Sequence, residues 1–292
     1  IFMLVRIAEI PIQISCNDSE FFFTRLAAYQ LKDEDIQPRM ILRSSVCEEI
    51  TLPEGELIGK IKAINLKKTT DGRFFYYGVN RDNQVVSLTI YDPEYQLVEI
   101  KQIASRKHSI FSLTDFEYMY TGLAFSNRLA VEGGLILHAS SLTYKGQGIA
   151  FSAISGTGKS THTGLWEKHL DHVQIINDDK PAVRFVDNKP MLYGTPWSGK
   201  TDLNNNICAP FSALVFLEQS QENSIKRMTP ADAYFDMASE VARPSCDEAL
   251  GIQMLDIMER LLESVPIYKL RCNISREAVQ TVYEEVIGGK MP

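Results

Sequence analysis

The stretch Ser155-Gly-Thr-Gly-Lys-Ser-Thr161 lies between two apolar patterns of different period. Residues 149–154 before it read as a buried strand, and the residues after it predict a helix over 159–169. Gly156 and Gly158 permit left-handed backbone conformations, which turn several N–H groups towards one anion. The start of the helix adds its own N–H groups and the positive end of its dipole. Strand, glycine loop and helix in this order therefore predict a phosphate-binding loop.

The side chains of the loop fit a nucleotide with a bound metal ion. Lys159 supplies a positive charge for the β- and γ-phosphates, and Ser160 supplies a hydroxyl ligand for magnesium. The pattern G-x-x-x-x-G-K-[ST] fits from Gly158 onwards, but Ala153 stands where the first glycine belongs, which requires a negative φ there. The alternative is a plain turn before a helix with a surface lysine. The residues predicted to bind nucleotide are Ser155, Gly156, Thr157, Gly158, Lys159, Ser160 and Thr161.

Two neighbouring carboxylates follow the next strand pattern. Asp178 and Asp179 come directly after the segment 173–177, shortly after the helix of the phosphate loop. In a parallel α/β arrangement, the end of that strand lies beside the loop. One carboxylate then fits as a ligand of magnesium, and the other fits as the acceptor of a proton from an attacking hydroxyl. The alternative for an Asp-Asp pair before lysine and proline is a solvated turn.

Two basic side chains have an open assignment. Lys200 lies in a loop bounded by glycine and proline, where it either closes on the phosphates or the acceptor, or is an ordinary exposed lysine. His138 lies in the middle of a predicted strand over residues 135–143. A lone histidine in an apolar strand is more often a hydrogen-bonded core residue than a ligand.

Composition limits the class of protein. The formal net charge of −7 disfavours nucleic acid and anionic membrane surfaces as partners. The five cysteines are scattered without a CxxC pair, which predicts neither a disulfide framework nor a zinc site. No apolar run has the length of a membrane-spanning helix, and we expect a cytoplasmic protein.

The chain is predicted to have two parts. Residues 1–111 read as a β-rich α+β module of unknown role, with antiparallel strands over 74–78, 84–90 and 95–100. Residues 112–292 read as an α/β nucleotide-binding domain that begins with a helix capped by Thr114. Further helices are predicted over 230–240, 247–263 and 276–287.

The segments His138-Ala-Ser140, Ser155–Ser160 and Asn177-Asp-Asp179 together resemble the HPr kinase and phosphoenolpyruvate carboxykinase superfamily in order and spacing. A block at 193–206 is also similar, and the resemblance covers about residues 134–206. It implies a P-loop kinase domain in which His138 and Asp179 match metal ligands and Asp178 matches a catalytic base. The chain is short for a carboxykinase, and its first part does not resemble the HPr kinase module. Decarboxylation, and HPr itself as substrate, are therefore disfavoured.

These observations predict an ATP-dependent phosphotransferase that uses Mg²⁺ or Mn²⁺. The acceptor of the γ-phosphoryl group is a hydroxyl, either a serine of a protein or peptide or a small molecule. Catalytic roles fall to Asp178, Lys159 and Lys200, and metal ligation to Ser160, Asp179 and His138. The alternative is a nucleotide-binding sensor or scaffold that transfers nothing. An oligomer is compatible with the sequence.

Overall fold

The structure is a computed structural model that describes residues 2–32, 36–61, 64–199, 201–242 and 248–292. Its contacts divide the chain into two compact units. The first comprises Ile1–Glu132 and Pro244–Gly251, and the second comprises Gly133–Arg243 and Ile252–Pro292. Both units combine sheets with helices, so the chain has a mixed α/β fold, as predicted.

The first unit is built on one sheet, which has eight strands within the described residues. The strands are β1 (Met3–Ile7), β2 (Ile10–Ser15), β3 (Met40–Cys47), β4 (Glu56–Ile61), β5 (Ile64–Lys68), β6 (Phe74–Val79), β7 (Val85–Tyr91) and β8 (Leu97–Ile103). Their order is β1-β2-β3-β8-β7-β6-β5-β4. The predicted antiparallel pairing is correct for β6 to β8. Strands β4 and β5, which were not predicted, extend it, and β2, β3 and β8 are parallel neighbours. Between β2 and β3 the chain crosses over through α1 (Ser19–Leu26) and the 3-10 turn Ala27–Tyr29, as parallel pairing requires.

Helix α2 (Leu113–Val131) belongs to the first unit. Its N-cap is Ser112, not the predicted Thr114, because the side chains of Ser112 and Asp115 satisfy each other's backbone N–H groups in a capping box. The hydroxyl of Thr114 donates instead to Asp18 Oδ2 at 2.7 Å. The division of the chain thus follows α2, whereas the sequence analysis begins the second domain ahead of it.

The second unit carries the glycine loop that is predicted to bind phosphate, here named the phosphate loop. Its strands are β9 (Gly134–Ile136), β10 (Ala139–Tyr144), β11 (Gln147–Ser152), β12 (Gln174–Asn177), β13 (Ala182–Val186), β14 (Lys189–Tyr193), β15 (Cys208–Gln219), β16 (Ser224–Arg227) and β17 (Ile267–Cys272). Their order is β12-β10-β11-β15-β14-β13-β9, and β17 pairs with β15 and β16. The helices are α3 (Lys159–His169), α4 (Pro230–Glu240), α5 (Glu248–Ser264) and α6 (Arg276–Val282), which continues as the π-helical turn Tyr283–Ile287. The first four residues of α5, 248–251, belong to the first unit by their contacts.

The single strand predicted over residues 135–143 is wrong. Strand β9 pairs with β13, whereas β10 pairs with β11 and β12, so the chain changes partners between them. His138 lies in this gap, and its N–H donates to the carbonyl of Glu240 at 2.7 Å instead of to a neighbouring strand. His138 is therefore not a mid-strand core residue.

Three strand ends meet at one edge of the second sheet. Strand β10 is antiparallel to both β11 and β12, so β11 and β12 run in the same direction on either side of it. The register pairs Ala139 with Ser152 and Ser141 with Asn177. The residues that follow β11 and β12, and the residue that precedes β10, therefore lie together at this edge.

Helix α3 is fixed against the sheet by an aromatic cluster. Trp166 is fully buried and contacts Tyr144, Phe151 and Tyr283 through their rings. Such ring contacts add to the hydrophobic free energy of burial. The cluster packs α3 against β10 and β11, which carry Tyr144 and Phe151. Among the described residues, no helix is both long enough and apolar enough to cross a membrane.

Candidate functional site

The segment 153–158 forms an open loop between β11 and α3. Gly156 and Gly158 have φ of 85° and 115°, in the left-handed region that favours glycine. The N–H and the hydroxyl of Thr157 both donate to the carbonyl of Ile154, at 3.2 and 2.7 Å, and close the turn. Gly158 is the N-cap of α3, and no side chain of the described residues caps the helix. The N–H groups of its first turn are thus directed at the space above the loop, as an anion site requires.

Lys159 is buried at the base of the loop. Its side chain folds back, and its Nζ donates to the carbonyl of Ala153 at 2.9 Å. Ala153 has no positive φ, so alanine fits where the general pattern has glycine. Burial lowers the pKa of the Lys159 ammonium, while the negative charges of three nearby carboxylates act in the opposite direction. In order of effect, these are Glu240, Asp179 and Asp178.

Asp178 is buried and holds two hydroxyl groups. Its Oδ1 accepts from Ser140 Oγ at 2.7 Å, and its Oδ2 accepts from Thr201 Oγ1 at 2.7 Å. Ser140 also contacts the hydroxyl of Thr163 on α3 at 2.8 Å. Through Ser140 of β10, these hydrogen bonds connect Asp178 at the end of β12 to Thr163 on α3.

Asp179 lies in a charged arrangement. His138 Nε2 faces Asp179 Oδ1 at 3.3 Å, and His138 Nδ1 faces Glu240 Oε2 at 2.9 Å. The hydrogen bond to Asp179 raises the pKa of His138. Burial acts to raise the pKa of Asp179, but the hydrogen bond from His138 and the charges of Lys180 and Lys159 outweigh it, so that the net shift is downwards. The imidazole of His138 thus lies between the carboxylates of Asp179 and Glu240.

Glu240 was missed by the sequence analysis. It is the last residue of α4 and is buried, and it lies 102 residues from His138 along the chain. The 3.6-residue period of α4 predicts that the helix exists, but it does not indicate which end reaches the phosphate loop. The sequence analysis also assigned no role to the hydroxyls of Ser140, Thr163 and Thr201, because their contacts with Asp178 and with each other join residues at least 23 positions apart.

The segment after β14 packs tightly behind the two aspartates. Asn177 Nδ2 donates to the carbonyl of Thr195 at 2.7 Å, and its Oδ1 accepts from the N–H of Asp179 at 2.8 Å. A Cβ on Gly199 would lie 3.0 Å from the Cβ of Asp179, and one on Gly194 would lie 1.8 Å from a backbone oxygen. The glycines of this block are therefore needed for close approach. Lys200, a predicted catalytic residue, lies outside the described residues.

The predicted metal ligands offer a sparse donor set. Ser160 is exposed in the first turn of α3, and His138 and Asp179 face each other. In the part of the chain that the structure describes, no group of three or more His, Cys, Asp or Glu side chains is arranged to hold a metal ion. One hydroxyl, one carboxylate and one imidazole do not form a protein cage. They fit a divalent cation that takes most of its ligands from nucleotide phosphates and water.

Two cavities border the phosphate loop. The α3 cavity, of about 610 Å³, is bordered by the loop, by His162 and Leu165 of α3, and by Asn273 and Ile274 after β17. The α4 cavity, of about 560 Å³, is bordered by the loop and by Asp236, Ser239, Glu240 and Lys269. Gln219 borders both cavities, and its Nε2 donates to the carbonyl of Thr157 at 3.1 Å.

Comparison with known proteins gives little further information. No protein-family model matches the chain, and no curated protein matches it. Among solved structures, the HPr(Ser) kinase/phosphatase from Coxiella burnetii is similar, with 10% identity and a TM-score of 0.30. The match covers 52% of this chain and 93% of that chain. A likeness of this size carries no argument about function.

Proposed function

We propose that this chain is an ATP-dependent phosphotransferase that moves the γ-phosphoryl group to a hydroxyl. The proposal rests on one observation. A buried lysine and a buried aspartate lie at the same sheet edge as an open glycine loop, and the charge of Asp178 acts on Lys159. Phosphoryl transfer needs positioning and charge stabilisation more than covalent chemistry, and this edge supplies both.

The loop and Lys159 bind the phosphates. The N–H groups of residues 155–161 surround the β-phosphate, and the dipole of α3 favours its charge. Lys159 exchanges its bond to the carbonyl of Ala153 for one to a phosphate oxygen. Burial already lowers the pKa of its ammonium, so part of the desolvation cost is met before the nucleotide covers it.

Asp178 orients the acceptor hydroxyl and takes its proton. The carboxylate is held by Ser140 through Oδ1, and its Oδ2 faces an exposed hydroxyl of the protein. An acceptor hydroxyl at Oδ2 would have the same hydrogen-bond geometry. The acceptor is a serine of a protein or peptide, or a small molecule with a hydroxyl.

Mg²⁺ or Mn²⁺ fits beside the phosphates, with Ser160, Asp179 and His138 as its protein ligands. When bound, such an ion neutralises the charge of the phosphates and makes the γ-phosphorus more electrophilic. The contact of Glu240 with Nδ1 of His138 orients the ring so that Nε2 faces Asp179. Glu240 is therefore a positioning residue in this proposal.

The two cavities suit the two substrates. The α3 cavity has apolar walls from Leu165, Leu217 and Ile274 together with the amides of Gln219 and Asn273, which suits a base and a ribose. The α4 cavity has charged walls and opens beside Glu240, which suits the acceptor.

The test measures binding first and transfer second. Calorimetric titration with ATP and magnesium should show binding by the parent chain and a loss of about a hundredfold for Lys159→Ala, because charge-assisted contacts to phosphate contribute about 3 kcal/mol. Absence of binding by the parent, or equal binding by the variant, would contradict the proposal. Binding without transfer to any of a panel of hydroxyl acceptors would favour the sensor or scaffold.

A further inference from the structure

The two hydroxyl groups on Asp178 differ in their access to solvent. Ser140 on β10 is fully buried, and its hydroxyl contacts Oδ1 of Asp178 and the hydroxyl of Thr163 on α3. Thr201 is exposed, and its Oγ1 donates to Oδ2 at 2.7 Å. The hydroxyl of Thr201, a secondary alcohol, is thus on an exposed residue and donates a hydrogen bond to the carboxylate of Asp178.

Residues near Thr201 make hydrogen bonds with the end of β12 and with each other. The N–H of Asp178 donates to the carbonyl of Leu203 at 3.0 Å, and Asn204 Nδ2 donates to Ser198 Oγ at 2.9 Å. Asn177 Nδ2 also lies 3.4 Å from the carbonyl of Trp197. These contacts hold residues on both sides of Thr201, at 197–198 and 203–204, near the end of β12.

The same carboxylate is linked to the phosphate loop on its other side. Ser140 connects Oδ1 of Asp178 to Thr163, and the hydroxyl of Thr163 lies 3.1 Å from the carbonyl of Ser160. The negative charge of Asp178 also acts on Lys159. The inner oxygen of Asp178 therefore faces the helix that follows the phosphate loop, and its outer oxygen faces Thr201.

We propose that Thr201 is a self-phosphorylation site, at which the chain transfers the γ-phosphoryl group of ATP to its own hydroxyl. The inference rests on the proposed phosphotransferase function. Oγ1 of Thr201 bonds to the γ-phosphorus, and the bond from this phosphorus to the oxygen that bridges to the β-phosphate breaks. The electron pair leaves with ADP. The proton of Thr201 passes to Oδ2 of Asp178 and then to solvent, which restores the carboxylate.

Phosphorylation at Thr201 changes the charge at the sheet edge. The product places a dianionic group beside Asp178 and Asp179, so like-charge repulsion drives the segment away from Oδ2. That movement frees Oδ2 for the hydroxyl of a second acceptor. Self-phosphorylation would thus displace the hydroxyl of Thr201, which otherwise occupies the position at Oδ2 of Asp178 where the acceptor hydroxyl binds.

The experiment uses the full chain with radiolabelled ATP and magnesium, without added acceptor, and locates the phosphate by mass spectrometry. We expect stoichiometric phosphate on Thr201, with a rate per chain that does not change on dilution. Thr201→Ser should retain the label, because it keeps a hydroxyl. The nearly isosteric Thr201→Val should lose the label down to the background of Lys159→Ala. Thr281→Val, a threonine replaced in α6, is the matched control and should label as the parent does.

The outcomes separate this inference from the function on which it rests. If the chain binds ATP and phosphorylates an added acceptor or water while Thr201 carries no phosphate, the self-phosphorylation is overturned and the phosphotransferase stands. Equal labelling of Thr201→Val and the parent has the same meaning. Binding of ATP with no transfer overturns the inference and favours the sensor. Absence of ATP binding overturns both proposals.

Discussion

The α3 cavity and the α4 cavity share the phosphate loop but differ in their chemistry. Among the described residues that border the α3 cavity, Glu218 is the one acid, and it borders the α4 cavity too. Asp236, Glu240 and Lys269 border the α4 cavity alone. The loop thus separates a largely uncharged space from a charged one. A nucleotide has an uncharged base at one end and a reacting phosphate at the other, and the two spaces match this division.

Two histidines show the same difference. His162 borders the α3 cavity and is buried against Phe151 and Trp166, and burial lowers its pKa to about 4. His138 contacts Glu240, which borders the α4 cavity, and its hydrogen bond to Asp179 raises its pKa. One imidazole is thus held neutral by apolar packing, and the other is held between two carboxylates. Charge is therefore concentrated on the side where we place the transfer.

The largest expected effect concerns Asp178, which follows β12 and borders neither of the two cavities. Asp178→Asn should reduce phosphoryl transfer by roughly a hundredfold to ten-thousandfold, since a lost general base has effects of this size. ATP binding should be nearly unchanged, because the amide keeps the size and the contact with Ser140. Turnover with a hydroxyl acceptor and calorimetric titration with ATP measure the two quantities. A variant that loses binding and turnover together would show that Asp178 holds the loop and takes no proton.

The next effect concerns the apolar side and appears in stability. His162 is neutral in the folded chain and titrates near its ordinary pKa when unfolded, so the folded state is favoured above that value. This contribution is lost as the pH falls from about 6.5 towards 4. Denaturant unfolding should show a loss of about 2 kcal/mol between roughly pH 7.5 and pH 5, relative to His162→Gln. A parent and variant with parallel pH profiles would contradict the neutral, buried histidine.

A smaller effect tests whether Glu240 acts through His138. Glu240→Gln keeps the shape of the side chain but removes its charge, and loss of such a carboxylate typically costs about tenfold or more in metal affinity. We expect the magnesium concentration for half-maximal turnover to rise, with metal-free ATP binding unchanged. Asp236→Asn is the matched control, because Asp236 lies on the same helix and cavity but pairs with Lys269. If both variants raise this magnesium concentration equally, the effect comes from the loss of a negative charge in general, and a specific role of Glu240 through His138 is contradicted.

The sequence predicted what depends on neighbouring residues. The bounds of α3 and α4 match the predictions, because glycine, lysine and proline act within one helical turn. Asp187 and Asn188 form the turn between β13 and β14 and both have positive φ, which aspartate and asparagine tolerate better than most residues. The glycine loop before α3 belongs to this class, since its geometry follows from two glycines and a helix start. Phosphate binding by this loop stays a prediction.

What the sequence did not predict depends on contacts between distant residues. His138 was assigned to a strand because its neighbours are apolar, but its backbone is bonded to Glu240 at the end of α4. The parallel strands β2, β3 and β8 were missed because their pairing joins segments separated by a crossover and by four further strands. A local pattern fixes the period of an element, and it contains no information about which distant backbone completes its hydrogen bonds.

The smallest expected effect concerns Gln219, which stands between the two cavities. Its amide donates to the carbonyl of Thr157, so it holds the loop in the conformation that directs N–H groups at the phosphates. Gln219→Ala removes one hydrogen bond of about 1 kcal/mol, and ATP should bind roughly fivefold more weakly. Gln221→Ala is the control, because Gln221 borders the α3 cavity but not the α4 cavity. If ADP, ATP and inorganic triphosphate are weakened equally by Gln219→Ala, the residue acts on the loop. Weakening confined to nucleotides would instead mean that the amide recognises the base or ribose, and the division between the two cavities would then run through Gln219 itself.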